Sequence, residues 1–129
     1  MYRFGYEVVF RDCDMFGHVN NAVVCSLLET ARFKFFKERF GEFAARYVIG
    51  HVEVDYLKPI RLGETIGIGL WVDRVGRTSW DFRYTVIRSS PEEELVKAGS
   101  RQVWYDFSRD AKAPLPPEVR AVLLAEHGG

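Results

Sequence analysis

Eleven consecutive residues, Arg11-Asp12-Cys13-Asp14-Met15-Phe16-Gly17-His18-Val19-Asn20-Asn21, place two carboxylates, an imidazole and two carboxamides in one short stretch. The stretch lies between a β-prone run, Tyr6 to Phe10, and a helical run from about Ala22 to Arg39. The unpaired N–H groups of a helix's first turn favour negative charge. An ester or thioester carbonyl placed on them is supported as its oxygen becomes anionic. A carboxylate beside it can attack that carbonyl or activate water. The chemistry suggested is acyl hydrolysis. From these residues alone a plainer reading weighs more: a capped loop in which Asp12 and Asp14 make Asx-type turns and His18 packs locally.

The elements that must position this stretch follow from periodicity. Val24, Leu27, Leu28, Ala31 and Phe35 recur at helical spacing, and Phe33 and Phe36 widen the apolar surface, so the helix is expected to be buried on most sides. Asn20 or Asn21 can cap its start, and Gly41 is a plausible stop. After Gly50 the pattern changes to alternation. Val52, Val54 and Tyr56 form one strand, ended or confined to an edge by Pro59. Ile66 to Val72 form a second, and Trp80, Phe82, Tyr84 and Val86 a third after a turn at Asp73–Arg77. A turn marked by Pro91 leads to a last strand, Leu95 to Phe107, and a short helix follows from about Glu118 to Glu126 with Pro117 near its first turn. Consecutive hairpins imply an antiparallel sheet, and one long apolar helix must bury against it. The fold class is α+β, in a single domain over residues 1–129.

Composition narrows the function classes. Formal net charge is zero over 129 residues, which argues against a dedicated nucleic-acid binder. No apolar run approaches the roughly 20 residues of a membrane span. The start of the chain carries no apolar signal core. Cys13 and Cys25 lack zinc-type spacing and fit a reducing compartment. A soluble cytoplasmic protein is the expectation.

The segment Asp12 to Ala22 resembles the signature of hot-dog acyl-CoA thioesterases of the 4-hydroxybenzoyl-CoA thioesterase type. Glu29-Thr30-Ala31-Arg32, Val54-Asp55-Tyr56-Leu57-Lys58-Pro59-Ile60, Gly63-Glu64 and Val75-Gly76-Arg77-Thr78-Ser79 are similar to the family's later segments, in the same order. The resemblance implies an antiparallel sheet wrapped around one long central helix. It implies hydrolysis of an acyl-CoA to free acid and CoA, with Asp14 as nucleophile or general base. It implies that the backbone N–H of Asn21 polarises the carbonyl, that Gly17 lets the chain approach the substrate, and that His18 and Asn20 orient the loop or contact the acyl group. Arg77 and Ser79, in the turn after the second strand of the run, are the family-based candidates for contact with the CoA nucleotide; Arg61, Arg83, Arg88 and Lys97 are further candidates for its phosphates. No metal or redox cofactor is implied, coenzyme A being part of the substrate. The family builds its sites between two subunits, so a homodimer or homotetramer is expected, with the Val52–Tyr56 strand at the sheet edge where subunits meet. Val24 stands where relatives often carry an aromatic residue, and Cys25 where leucine is usual, so the acyl pocket is expected to differ in shape.

Other residues invite rival readings. Cys25 is taken as a buried small hydrophobe rather than a nucleophile, and Asp12 as structural, paired with Arg11. Glu29 and Arg32 fit a helical ion pair, or else Glu29 faces the active-site water. His51, Glu53 and Asp55 share a strand face that could hold a metal, though no ligand motif supports it. Trp80, Phe82 and Tyr84 read as core. Two rival functions stand beside hydrolysis: a hydratase acting on acyl thioesters, and a non-catalytic domain that binds CoA esters.

Overall fold

The computed structural model describes residues 1–41 and 46–128. In chain order the elements are β1 (Tyr2–Glu7), α1 (Asn21–Phe40), β2 (Tyr47–Tyr56), β3 (Thr65–Val75), β4 (Ser79–Ser89), β5 (Glu92–Asp106), β6 (Ala111–Lys112) and α2 (Pro117–Ala125). The strands form one antiparallel sheet in the order β1-β3-β4-β5-β2, with β6 against the end of β5. The 20-residue α1 packs on one face of that sheet. This is the expected sheet around a single long helix, and β2 is an edge strand as anticipated.

The helix starts and stops where its sequence says it should. Asn20 Oδ1 accepts from the Ala22 N–H at 2.8 Å, satisfying one of the unpaired donors of the first turn. Gly41 adopts φ 76°, a left-handed conformation that glycine takes without a Cβ clash, and its N–H closes on the Lys37 carbonyl at 2.7 Å. Burial, however, is one-sided. Val24, Leu27, Leu28, Ala31, Phe35 and Phe36 are buried against the sheet, whereas Phe33 is 42% exposed. The expectation of burial on most sides is therefore corrected, because within one chain the sheet covers only one flank of the rod.

Beneath α1 the inward residues of β3, β4 and β5 form the core. Ile66, Ile68, Leu70 and Val72 of β3 meet Trp80, Phe82 and Tyr84 of β4, all buried, as their alternation predicts. Phe35 packs edge-on to both Phe36 and Phe82 at 5.2 Å between centroids, and Phe36 packs edge-on to Trp80 at 5.7 Å. Each such pair adds about 0.5–1.5 kcal/mol beyond its buried area.

A polar chain threads this core. Arg32, only 6% exposed, donates from Nη1 to the Tyr84 hydroxyl at 3.0 Å. Burial pushes the Tyr84 hydroxyl up, so it keeps its proton and donates it to Ser100. Ser100 donates to Gln102 Oε1, and Gln102 donates to the Trp80 carbonyl at 3.2 Å. Arg32 thus turns inward, and no ion pair with Glu29 forms among the described residues. A buried guanidinium gains more from a nearby acceptor than from a solvated carboxylate at the helix surface.

Several strand boundaries differ from those expected: β3 runs on to Val75, into the expected turn, and β5 begins at Glu92 rather than Leu95. The first strand runs from Tyr2 to Glu7, not Tyr6 to Phe10, because Tyr2, Phe4 and Tyr6 supply the inward alternation while Phe10 enters a single 3₁₀ turn and is 83% exposed. The second begins at Tyr47, with the register shift between Ile49 and His51 accommodating Gly50. At the far end α2 buries Val119 and Leu123. Arg39 of α1 stacks 4.2 Å over Phe35 and donates from Nε to Glu126 at 2.9 Å, tying the two helices together. No described helix is long and apolar enough to cross a membrane.

Candidate active site

The loop from Val8 to Asn20 is held by backbone bonds to the segment before β3. Val8 N–H donates to Glu64 O at 2.9 Å, Val19 N–H to Ile60 O at 2.7 Å, and Leu62 N–H to Gly17 O at 3.1 Å. Within the loop, Asp12 is buried and accepts from the Tyr6 hydroxyl at 2.7 Å and the Val9 N–H at 2.9 Å, both on Oδ2. It is structural, as expected, but its partner is Tyr6 rather than Arg11, which is exposed on the outer side of the turn. The Asp12 carbonyl then accepts from Asn20 N–H at 2.8 Å, setting the cap residue of α1.

Asp14 is held differently. Its Oδ1 accepts from the N–H groups of Phe16 at 2.9 Å and His18 at 3.2 Å, while its own N–H and C=O bond to His18 O and Gly17 N–H. Oδ2 takes no hydrogen bond among the described residues. The carboxylate is exposed and fixed by neutral backbone donors, with one oxygen left over. Gly17 has φ 75°, a left-handed conformation that glycine adopts without strain and that the reversal of this turn requires, and the space where a Cβ would stand is open.

Asp14, His18 and Asn21 converge on one cavity of about 280 Å³, whose other walls are Val24 of α1 and the segment Tyr56–Ile60 after β2. Asn20 lies at its edge as the cap of α1. Among the described residues the Asn21 N–H has no acceptor, whereas the next three first-turn donors bond to Asn20. An unpaired donor at the positive end of a 20-residue helix thus opens beside an anchored carboxylate. Tyr56 was not singled out from the sequence as a site residue. Its hydroxyl donates to the Asn21 carbonyl at 3.3 Å and lies against Cys25, and burial pushes the phenol up. The only sequence signal was its place in the Val54–Ile60 segment. Cys25 is exposed, not buried, because it faces away from the sheet at the position after Val24.

The remaining candidates are placed elsewhere. Arg77 and Ser79 sit at the β3–β4 turn, while the Asp14 loop is joined to the opposite end of β3. Ten residue steps of strand separate those ends, roughly 33 Å at 3.3 Å per residue. One chain does not bring them together. Ser79 Oγ also accepts from Arg74 at 2.8 Å. Of the other proposed phosphate contacts, Arg83 pairs with Glu53 and Asp73, Arg88 with Glu64 and Glu93, and Lys97 with Glu94. Arg61 and Arg77 make no ion pair among the described residues, and Arg61 bridges to His18 beside the cavity. Glu53, from the strand face considered for a metal, is drawn to Arg83 at 3.4 Å, and the described residues contain no group of three metal-ligating side chains.

Residues 8–123 match the model of the thioesterase-like superfamily. The chain belongs to this superfamily, a class of thioester hydrolases, and its sheet-wrapped helix is the hot-dog fold. A thioesterase of Thermus thermophilus, solved in complex with coenzyme A and zinc, is 34% identical, with TM-score 0.85 over 94% of this chain and 95% of that one. A 1,4-dihydroxy-2-naphthoyl-CoA thioesterase of Synechocystis shares the fold at TM-score 0.85 and 15% identity, over 95% of each chain. A 1,4-dihydroxy-2-naphthoyl-CoA hydrolase of Nostoc punctiforme is 30% identical over 83 residues, 64% of this chain. The match spans about half of that relative, 55% of its length.

Proposed function

We propose that this protein hydrolyses an acyl-CoA thioester to the free acid and CoA, with Asp14 as the reacting carboxylate and the Asn21 N–H as the donor to the developing oxyanion. The observation that carries this reading is the pairing of an acid anchored through one oxygen with an unpaired helix-start N–H on the same cavity. The thioester carbonyl sits between them. Asp14 Oδ2 either adds to the carbonyl carbon, giving a mixed anhydride that water then opens, or takes a proton from water as that water adds. In both routes charge builds on the carbonyl oxygen, and the Asn21 N–H and helix dipole stabilise it. The C–S bond then breaks. A thiol ionises near pH ~8.5, so the sulfur leaves as thiolate with little need of a general acid. The route needs only protein groups and water.

His18 and Gly17 hold the loop that presents Asp14, and Asn20 holds the helix start. Arg77 and Ser79 serve the CoA nucleotide only from a second subunit, which accords with a homodimer or homotetramer joined along the open edge of β2. A soluble, cytoplasmic enzyme suits two cysteines that are not paired with each other. The test is thiol release from a panel of short, long and aromatic acyl-CoAs by the wild type and by Asp14→Asn. Turnover by the wild type that persists in the variant would refute the assignment of Asp14. Binding of every thioester with turnover of none would favour a carrier domain.

A further inference from the structure

Arg88, near the end of β4, is committed to acceptors that a phosphate ligand would have to displace. Its Nε donates to Glu64 Oε2 at 2.6 Å, its Nη2 to Glu64 Oε1 at 2.9 Å and to the Pro59 carbonyl at 3.3 Å, and its Nη1 to Glu93 Oε1 at 2.9 Å. The two bonds to Glu64 are the parallel pair in which a planar guanidinium matches a carboxylate best. The Arg88 side chain is 17% exposed and that of Glu64 20%, so water screens this pair less than it screens Arg83 and Glu53, at 44% and 54%. The Arg88 fork holds the Glu64 carboxyl below the usual carboxylate range, so the acid is charged at neutral pH. Glu64 passes the constraint to the backbone. Its Oε1 also accepts from the Arg61 N–H at 2.7 Å, and its own N–H closes on the Arg61 carbonyl at 3.2 Å. One side chain thereby ties off the turn from Arg61 to Glu64.

Both ends of the Asp14 loop hang on that turn. At the entry, the Gly63 N–H bonds to Val8 O at 3.3 Å; at the exit, Leu62 meets Gly17 and Arg61 bridges to His18. The His18 N–H is in turn one of the two donors on Asp14 Oδ1. Glu93 carries the same network to Lys58, 3.2 Å away, on the wall of the Asp14 cavity. Arg88 itself is not among the described residues that line this cavity. We infer that Arg88, acting through Glu64, is a positioning residue for the reacting carboxylate: the guanidinium sets the segment from Pro59 to Glu64, and the segment sets where Asp14 Oδ2 meets the thioester carbonyl. This role rests on Asp14 as the reacting group. It takes Arg88 away from the CoA phosphates and gives it to the support of the acid.

Steady-state turnover and amide hydrogen exchange, measured on the same full-chain variants, test it. The probes are acetyl-, palmitoyl- and benzoyl-CoA, the fastest with the wild type being carried to the variants. Arg88→Ala should lower kcat per folded molecule about tenfold or more, with KM within about twofold of wild type. It should speed exchange of the Val19 and Leu62 amides about tenfold, while the Phe35 amide inside α1 keeps its protection. Arg88→Lys keeps the charge without the fork, and Glu64→Gln keeps the Arg61 acceptor without the charge; each should fall between wild type and Arg88→Ala. Adding Glu64→Gln to Arg88→Ala should lower kcat little further, because both act through one contact. Arg101→Ala breaks an arginine–carboxylate pair elsewhere on the sheet and should change neither readout. A raised KM at unchanged kcat would return Arg88 to the CoA phosphates and overturn the proposal. So would an unchanged kcat with a lower urea midpoint, the mark of a strut alone. If Arg88→Ala does not fold, Arg88→Lys and Glu64→Gln carry the same comparison. Failure of the hydrolytic reading looks different: the wild type turns over no probe, or Asp14→Asn loses nothing. Exchange at Val19 and Leu62 then still decides whether Arg88 sets the loop, and wild-type exchange rates in Arg88→Ala would reject it.

Discussion

Asp14 and Asp81 are both partly solvated aspartates on or beside the sheet, and they are held in opposite ways. Asp81 lies between two arginines. Arg74 donates to it at 3.0 and 3.2 Å, and Arg101 at 2.9 and 3.2 Å. Partial burial works to raise its pKa, but the hydrogen bonds and charges of Arg101 and Arg74 together outweigh it and bring the carboxyl down to about 2. Such a carboxylate is a weak base with both oxygens engaged. Asp14 has no arginine partner among the described residues. Two backbone N–H groups fix one oxygen and leave the other open. The lesson is that a cation clamp makes a strut, whereas neutral donors on a single oxygen can orient a carboxylate without consuming it.

The strongest way to break this comparison is Asp14→Asn. Acyl-CoA hydrolysis should fall by roughly a hundredfold or more, the scale of one acid–base or nucleophilic group. The amide Oδ1 can still accept from Phe16 and His18, so urea denaturation should shift by no more than about 0.5 kcal/mol. Asp12→Ala should do the reverse. It strips the acceptor from Tyr6 and Val9 in a buried place and should cost about 1–3 kcal/mol in the same denaturation, with activity per folded molecule changing less than in Asp14→Asn. Asn20→Ala removes the cap of α1 and should cost about 1 kcal/mol, with a loss of turnover if the helix start carries the oxyanion donor.

The smallest effect belongs to Asp81. Its folded pKa lies below the ordinary 3.8, so its contribution to stability is present above that value and is lost as pH falls from 3.8 toward about 2. The clamp is open to solvent, so screening keeps the contribution below about 1 kcal/mol. Asp81→Asn should flatten the wild-type loss of stability across that window, read by thermal unfolding at stepped pH. An unchanged slope would show that the arginine clamp adds nothing to folding.

The loop and helix of the Asp14 site were legible in sequence because their determinants are local. Asn20, Gly17 and Gly41 act within a turn of where they stand, and the stripe from Val24 to Phe35 repeats at one period. What sequence left hidden depends on partners distant along the chain. Arg32 chose Tyr84, 52 residues away, over its helical neighbour Glu29. Asp12 chose Tyr6 because β1 starts four residues before the expected strand and brings that hydroxyl over the turn. Arg77 matched a motif, yet strand length alone sets it far from Asp14 in the same chain. Cys25 and Tyr56 meet only because β2 returns beside the first turn of α1.

The stitching of the Val8–Asn20 loop to residues 60–64 has a kinetic corollary. Under the proposed function, the Asp14 carboxylate is mounted on backbone bonded to the segment before β3 and behaves as a fixed anvil, not a flap. Ligand entry then needs no hinge to swing, and added viscogen should slow turnover only as far as diffusion and product departure dictate. The amide protons of Val19 and Leu62, sealed against carbonyls across that seam, should outlast those of the neighbouring surface in deuterated solvent.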